Sequence, residues 1–585
     1  MKILLAAINA KYIHSNLAVY SLKAYAEQRL TRQAEITLCE YTINQDREKV
    51  LADMYMQKPQ LLALSCYIWN ITYIKALIPQ IKELLPDTDI WLGGPEVSYH
   101  AQNLFSELPI SGIMLGEGEK IFTNLLSCYL NCKESGQDKS VLSEQLKNVK
   151  GIACPGFQTE PETILAMDEL PFVYAGLPPK QFENRIVYYE SSRGCPFRCA
   201  YCLSAIDKQV RFRSVSLVKR ELKFFLDRQV LQVKFVDRTF NCNKEHAMEI
   251  WTYILEHDNG ITNFHFEIAA DIMTEEELDL IRKMRPGLIQ LEIGVQTTNA
   301  DTIETINRQM DFSRVAAVVQ KLQSGRNVHL HLDLIAGLPK EGYLSFQKSF
   351  NEVYALRPQQ LQLGFLKVLK GTPIEAAVTE AELKYWSEPP YEVLSTKWLG
   401  FDKVLRLKEI EEMVEVYYNS GQFLHAMRFL EAYFAAPFAL YEALAEYYRI
   451  KGYSTLQPSR LRKYEILLEF AEQIEEIQNK TCAEFLTLDL YLREKLKKRP
   501  GFSGEQESYK EKMRAFYKRE EKSRTYLKEY AGLDYRQLMK LTHMERFEAI
   551  QGKEQFLLFD YRNKDALTAE ATLIDITEEM KGKKP

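Results

Sequence analysis

Arg193-Gly194-Cys195-Pro196-Phe197-Arg198-Cys199-Ala200-Tyr201-Cys202 gathers three of the chain's ten cysteines into eight residues. In a reducing compartment such a run points to metal or redox chemistry before disulfides, and three ligands leave a coordination position open. Three thiolates on one loop can hold three irons of a [4Fe–4S] cluster, with the fourth iron free for a substrate or cosubstrate. A structural zinc site is the alternative. Zinc usually takes four ligands in paired C-x2-C knuckles, whereas the spacing here is C-x3-C-x2-C with no second pair. The nearest further thiol, Cys242, lies forty residues on, after the next strand candidate.

The run follows a strand candidate at 185–190 and opens a regular array. Further strands are expected at 232–237, 263–269, 288–295, 328–335 and 360–367, with helices such as 217–227, 274–284 and 312–324 between them. Six βα steps fit a partial (β/α)6 barrel better than a second flat sheet.

Upstream, β-rich runs at 2–8, 35–41, 61–67, 89–92 and 112–115 alternate with helical stretches such as 17–28 and 71–85. That rhythm predicts a doubly wound, flavodoxin/Rossmann-like parallel sheet, whose ligands bind beyond the strand carboxyl ends. The loops there are 9–16, 67–70, Gly93-Gly94-Pro95-Glu96 and Gly116-Glu117-Gly118-Glu119, and their glycines allow close backbone approach to a flat or phosphorylated ligand. Downstream of Pro373 the pattern becomes long amphipathic helices, for example 407–419, 425–435 and 440–450, whose tyrosines (Tyr417, Tyr418, Tyr433, Tyr447) read as core. The charge-crowded stretch 493–522 reads as a solvated helix pair or a flexible connection, and 546–550, 555–561 and 571–575 as a small meander. The expected domains of this α/β chain are 1–133, a linker over 134–180 with a small hairpin near Gly151, the barrel over 181–375, and a mainly helical extension over 390–585.

With 585 residues, 46% hydrophobic and 26% charged, the chain has ample core and no signature of disorder or fibrous repeat. A net charge of −5 supplies no global field for nucleic acid or an anionic membrane. No apolar run approaches the ~18 residues of a spanning helix, so a cytoplasmic protein with no membrane partner is expected.

The cysteine spacing, placed after the first strand of a six-step βα array, resembles the radical S-adenosylmethionine (SAM) superfamily over about 187–372. The resemblance implies a [4Fe–4S] cluster on Cys195, Cys199 and Cys202, SAM bound at the open iron, reductive cleavage of SAM, and an electron donor such as flavodoxin or ferredoxin. Tyr201 matches the position that contacts adenine. Asp237-Arg238-Thr239-Phe240-Asn241 stands where the family contacts the SAM amino group, without the commoner Gly-Gly-Glu form; Asp237 and Thr239 are the candidates there. Glu292-Ile293-Gly294-Val295-Gln296-Thr297 resembles the fourth-strand E-x-G-x-Q-[ST] pattern near ribose and methionine, which assigns Glu292, Gly294 and Gln296. Asp333-Leu334-Ile335-Ala336-Gly337-Leu338-Pro339 matches the fifth-strand D-x-[IL]-x-G-[LF]-P segment, which assigns Asp333 and Gly337.

A doubly wound sheet directly before such a barrel looks like a cobalamin (B12)-binding domain. The D-x-H-x-x-G motif that supplies a histidine to cobalt is absent, and the corresponding loop offers His14 instead. Asn9, His14, Gly93, Gly94, Pro95, Glu96, Gly116 and Gly118 are the cobalamin-site candidates. The whole layout resembles bacterial B12-binding radical SAM proteins that end in a helical domain of unknown function. The implied activity is cobalamin-dependent chemistry on an organic substrate, with methyl transfer to a non-nucleophilic centre in front and ring formation or rearrangement behind it. A binding module that senses cofactor status without turnover stays open. Sulfur transfer fits less well, because the first 150 residues carry only scattered Cys39, Cys66, Cys128 and Cys132.

Overall fold

The computed structural model describes residues 1–30, 34–136, 139–178, 181, 183–207, 209–504, 506–550 and 552–582. Positions 137–138 and 179–180 of the expected linker lie outside the described residues. By contacts the chain divides into two compact units, residues 1–328, 337–342 and 365–400 in the first, and 329–336, 343–364 and 401–585 in the second.

The first unit begins with strands β1 (Lys2–Asn9), β2 (Glu35–Thr42), β3 (Leu61–Ser65), β4 (Asp89–Gly93) and β5 (Gly112–Met114), all parallel, followed by the antiparallel pair β6 (Ile152–Cys154) and β7 (Phe157–Gln158). Their order is β2-β1-β3-β4-β5-β6-β7, so the direction of winding reverses beside β1. Such a reversal is where ligands of doubly wound sheets collect. Helices α1 (Leu17–Arg29), α2 (Arg47–Gln57), α3 (Ile71–Leu84), α4 (Ala101–Glu107) and α5 (Gly118–Glu134) cover the sheet. Alternation along β1 divides the core into two layers. Leu4, Ala6 and Ile8 pack with Ile74, Leu77, Ile78 and Ile81 of α3 on one face. Ile3, Leu5 and Ala7 pack with Val19 of α1 and Ile121, Phe122, Leu125 and Leu126 of α5 on the other. The two-sided burial explains the near-continuous apolar runs in the sequence. The stretch expected as a linker carries helix Lys139–Leu146 and the β6–β7 hairpin, which lengthens the sheet.

The partial barrel starts with β8 (Val187–Tyr189). The short antiparallel ladder β9 (Ser192–Arg193) and β10 (Arg211–Phe212) brackets the cysteine loop. Strands β11 (Gln232–Phe235), β12 (Asn263–Ile268) and β13 (Ile289–Gln296) continue in parallel beside β8 in that order. Val187, Tyr189, Val233, Phe235, Phe264 and Phe266 point outward to helices such as Val215–Asp227 and are buried. The alternate positions Tyr188, Lys234, His265 and Gln290 share the opposite face through the strand register.

The second unit holds the last two barrel strands, β14 (His329–Ala336) and β15 (Gln360–Phe365), helix Tyr343–Tyr354, and the C-terminal helices. Phe401–Val414, Leu424–Glu431, Pro437–Lys451, Arg460–Ala471 and Asn479–Arg493 precede an antiparallel sheet of Thr542–Phe547, Gln555–Lys564 and Ala571–Asp575. Among the described residues no helix is long and apolar enough to cross a membrane.

Candidate cofactor sites

The cysteine loop is held from below by one buried carboxylate. Asp237 accepts hydrogen bonds from Ser191 N (3.0 Å), Ser191 Oγ (2.6 Å) and Ser192 Oγ (2.6 Å). Burial lifts its carboxyl to about 6, against the three hydrogen bonds that favour the charged form. His246 Nε2 lies 3.2 Å from Ser191 Oγ, and burial lowers its imidazole to about 4. Asp237 therefore braces the turn that leads into Cys195.

None of the three loop cysteines is in a disulfide, and Cys195 and Cys199 are buried. Thr239 Oγ1 lies 3.6 Å from Cys195 Sγ. Burial pushes the Cys195 thiol up, opposed by the Phe197 backbone N–H and the Thr239 hydroxyl. Cys202 N donates to Cys199 O (3.1 Å), and Ala200 N to Ile306 O (2.8 Å), which fixes the loop against the end of the segment following β13. The donor chemistry fits an iron–sulfur cluster: three thiols outside any disulfide, two of them buried and Cys202 half-buried, on one braced loop. Cys242 is half-buried, and its thiol is lifted to about 11 by burial and by the nearby Cys195.

Arg308, which carries no motif in the sequence, organises the candidate SAM residues. Its guanidinium donates to Cys199 Sγ (3.6 Å), to Tyr201 Oη (3.2 Å) and to the carbonyl of Gly294. Gln296 ends β13 at φ +73° with Oε1 buried and unpartnered. Glu292 instead faces Lys234 Nζ (3.0 Å) and His265 Nε2 (2.9 Å) across neighbouring strands, so its charge is paired within the barrel. Gly337, at φ +84°, leaves no room for a Cβ, which would stand 2.6 Å from Val393 Cγ1. Asp333 belongs to the second unit, with Oδ1 3.0 Å from His331 Nε2.

A cavity of about 840 Å³ opens beyond the carboxyl ends of β1, β3, β4 and β5. Asn9, His14, Gly93, Gly94, Pro95, Gly116 and Gly118 line it, all from the first sheet's loops. Its opposite wall includes Tyr188 of β8 and Glu190, Arg193, Gly194, Leu203 and Arg238, on the flanks of the cysteine loop and of β11. Such a volume lies in the upper range of small-molecule sites. Glu96 is the exception among the sheet candidates: it is buried away from the cavity and accepts from Lys370 Nζ (2.9 Å) and Tyr391 Oη.

The 9–16 loop is stitched in place by Arg185, which donates to Glu40 Oε2 (2.8 Å), His14 O (3.0 Å) and Tyr12 O (3.2 Å). Asn9 Nδ2 donates to His14 O (3.1 Å) and Glu40 Oε1 (2.9 Å). His14 Nδ1 is engaged with Tyr188 Oη at 2.7 Å, so Nε2 is the ring nitrogen left to face a ligand. Burial and then Lys11 and Lys234 lower the ring's pKa, which keeps it neutral at pH 7. Tyr67 and Trp69, stacked at 4.5 Å, complete the wall and were not single candidates from sequence. The sequence marks the loop 67–70 only as a strand end.

Family models match along the chain in three successive stretches: "B12 binding domain" over 3–126, "Radical SAM superfamily" over 189–353, and "Protein of unknown function (DUF4080)" over 380–559. The chain thus carries a B12-binding domain, a radical SAM domain and a DUF4080 domain in that order. The cobalamin-dependent radical SAM methyltransferase TokK of Streptomyces tokunonensis is 24% identical over 366 residues, which are 60% of this chain and 53% of that protein. The chain spans about half the length of the curated relatives it matches. Among solved structures, the cobalamin-dependent S-adenosylmethionine radical enzyme OxsB with aqua-cobalamin aligns with TM-score 0.59 and 14% identity, over 84% of this chain and 80% of that one. The radical S-adenosylmethionine methyltransferase TsrM of Kitasatospora setae aligns with TM-score 0.54 and 16% identity, over 67% and 78%. At these identities the structural likeness establishes the fold: a doubly wound sheet, a partial radical SAM barrel and a mainly helical C-terminal region.

Proposed function

We propose that the chain is a cobalamin-dependent radical SAM enzyme that transfers a methyl group to a non-nucleophilic centre of an organic substrate. One observation carries this reading: the cavity beyond the first sheet is walled on its far side by the residues flanking the cysteine triad. Cys195, Cys199 and Cys202 would hold the [4Fe–4S] cluster, and Asn9, His14, the Gly93-Gly94-Pro95 turn, Gly116 and Gly118 the corrinoid. Tyr201, Thr239, Gly294 and Gln296, gathered around the cysteine loop and Arg308, are the proposed SAM contacts; Asp237, Glu292 and Gly337 stay as SAM-binding candidates beside them, and Asp333 as one by its motif alone. When bound, the cluster supplies the electron that cleaves SAM and the corrinoid supplies methyl-transfer capacity.

The chain's own part is orientation and exclusion. Asp237 and the two serines fix the cysteine loop, Arg308 donates an N–H to a ligand thiolate, and Tyr67, Trp69 and Pro95 give the cavity apolar walls that keep water out. A neutral His14 offers a lone pair or a hydrogen bond without adding charge. Domain boundaries at 133, 180 and 375–390, a flavodoxin- or ferredoxin-type electron donor and a cytoplasmic setting belong to the same proposal.

The test is anaerobic reconstitution with iron, sulfide, SAM and a strong reductant. Formation of 5′-deoxyadenosine is expected, together with a visible-range spectral change on titration with hydroxocobalamin. A full iron complement with no 5′-deoxyadenosine removes the enzyme reading, and a flat titration removes the corrinoid. Replacing Cys195, Cys199 and Cys202 together by Ala should lower bound iron to background while leaving the corrinoid titration measurable.

A further inference from the structure

We propose that Arg193 is a positioning residue that couples occupancy of the corrinoid cavity to the geometry of the cysteine loop; this rests on the reading of that cavity given above. The Arg193 side chain is 17% exposed and meets three carboxylates, Glu190 and Glu119 in forked pairs and Glu117 at 3.4 Å. Its Nε and Nη2 donate to Glu190 (2.9 and 2.8 Å), and its Nη2 and Nη1 to Glu119 (2.8 and 3.3 Å). The neighbouring strand contributes a second guanidinium: Arg211, paired with Arg193 across the β9–β10 ladder, reaches Glu117 at 2.6 Å. Two arginines beside the cysteine loop thus grip Glu117 and Glu119, the residues on either side of Gly118 at the start of α5. Gly116 and Gly118 line the cavity.

From Arg193 to the first cysteine the chain has no slack. Gly194 sits at φ +97°, where an added Cβ would stand 2.4 Å from the Gln209 carbonyl oxygen, and Cys195 N donates to Asp207 O (3.4 Å). A ligand seated against Gly116 and Gly118 must fix the β5–α5 turn, hence Glu117 and Glu119, hence the guanidinium two residues before Cys195. The forked geometry transmits orientation as well as charge. Binding couplings are reciprocal, so a cluster that fixes Cys195 must tighten corrinoid binding by the same factor that corrinoid tightens the cluster.

The experiment compares hydroxocobalamin affinity, by visible absorbance, of the full chain loaded with its cluster and of the same chain stripped by a chelator. About tenfold tighter binding is expected in the loaded form. Glu119→Gln, which keeps the shape and removes the charge, should bring that ratio below about twofold with iron content unchanged, and Glu119→Asp should restore part of it. An inert link between the two domains would leave the ratio alone in every variant. The native comparison needs no substitution, so a variant that fails to fold does not protect the idea. Equal affinities of loaded and stripped native chain, or a Glu119→Gln ratio equal to the native one, overturn the coupling. A flat titration in both forms brings down the corrinoid reading and the coupling with it.

Discussion

At the scale of single residues, Asp237 shows how one buried carboxylate can organise a reactive loop. Asp237→Ala leaves the Ser191 N–H and two serine hydroxyls buried without their acceptor, which should cost about 3 kcal/mol or more of stability and lower iron retention. Denaturant midpoints of the cluster-free chain and iron per chain after gel filtration are the measurements; an unchanged midpoint would refute the bracing role. The pH dependence follows from the two opposed shifts. Asp237, raised to about 6, contributes stability that is present below the unfolded value near 3.9 and is lost as pH climbs through 6. His246, lowered to about 4, contributes stability that is present above 6.5 and is lost as pH falls through 4. Between pH 4 and 6 the two slopes oppose each other. In His246→Gln only the carboxylate slope remains, so the variant's stability relative to the native chain should fall as pH rises across that window, by up to about 1.4 kcal/mol per unit. A variant and native chain whose stabilities stay parallel from pH 4 to 6 would refute the His246 shift, and a variant whose own stability stays flat across that window would refute the Asp237 shift.

At the scale of elements, strand positions were the most legible part of the sequence. The starts expected at 35, 61, 89, 112, 232, 263 and 360 coincide with the observed ones: Leu61–Ser65, buried on both faces, reads as an unbroken apolar run, and Gln232–Phe235 and Gln360–Phe365 read by their polar–apolar alternation. The turns that aim ligands were legible only as glycine. Gly94 sits at φ +114°, where an added Cβ would stand 2.5 Å from the Cys66 carbonyl oxygen. Gly94→Ala should therefore destabilise the first sheet by about 2 kcal/mol or more and weaken hydroxocobalamin binding, while leaving iron loading unchanged; retained affinity would detach that turn from the cavity. Hydropathy failed where charge is buried in pairs. The strand expected at 546–550 lies at Thr542–Phe547, around Glu545, which is wholly buried against Arg499 (3.1 Å) and His543 (2.9 Å). Likewise the charge-crowded 493–522 contains helix Lys510–Ser523, whose Met513, Phe516 and Tyr517 enter a core. Nor could any local signal pair Arg193 with a glutamate 74 residues away.

At the scale of the whole chain, the order of domains was readable but the partition of the core was not. Hydrophobic periodicity places an end after the sixth strand, near 375–390, yet the second unit takes in β14, β15 and helix Tyr343–Tyr354 along with the C-terminal helices. That helix packs Phe350 edge-on to Phe438 (5.4 Å) and Tyr441 (5.9 Å), and Tyr354 Oη lies 3.2 Å from Tyr441 Oη. Asn351 Oδ1 accepts from Phe438 N (2.9 Å), and Arg357 Nη1 donates to Glu431 (2.8 Å). Removing everything after residue 400 would expose Phe350 and Tyr354, both wholly or nearly wholly buried, each of which costs about 1.5–3 kcal/mol to bare to water. The sum is a large share of the 5–15 kcal/mol that holds a domain together. A chain ending at residue 400 should therefore aggregate or lose amide-exchange protection over 343–364, while the full chain keeps it. If the shortened chain stays monomeric, protects that segment and loads iron as the full chain does, the C-terminal helices are an appendage and the shared core has no energetic weight.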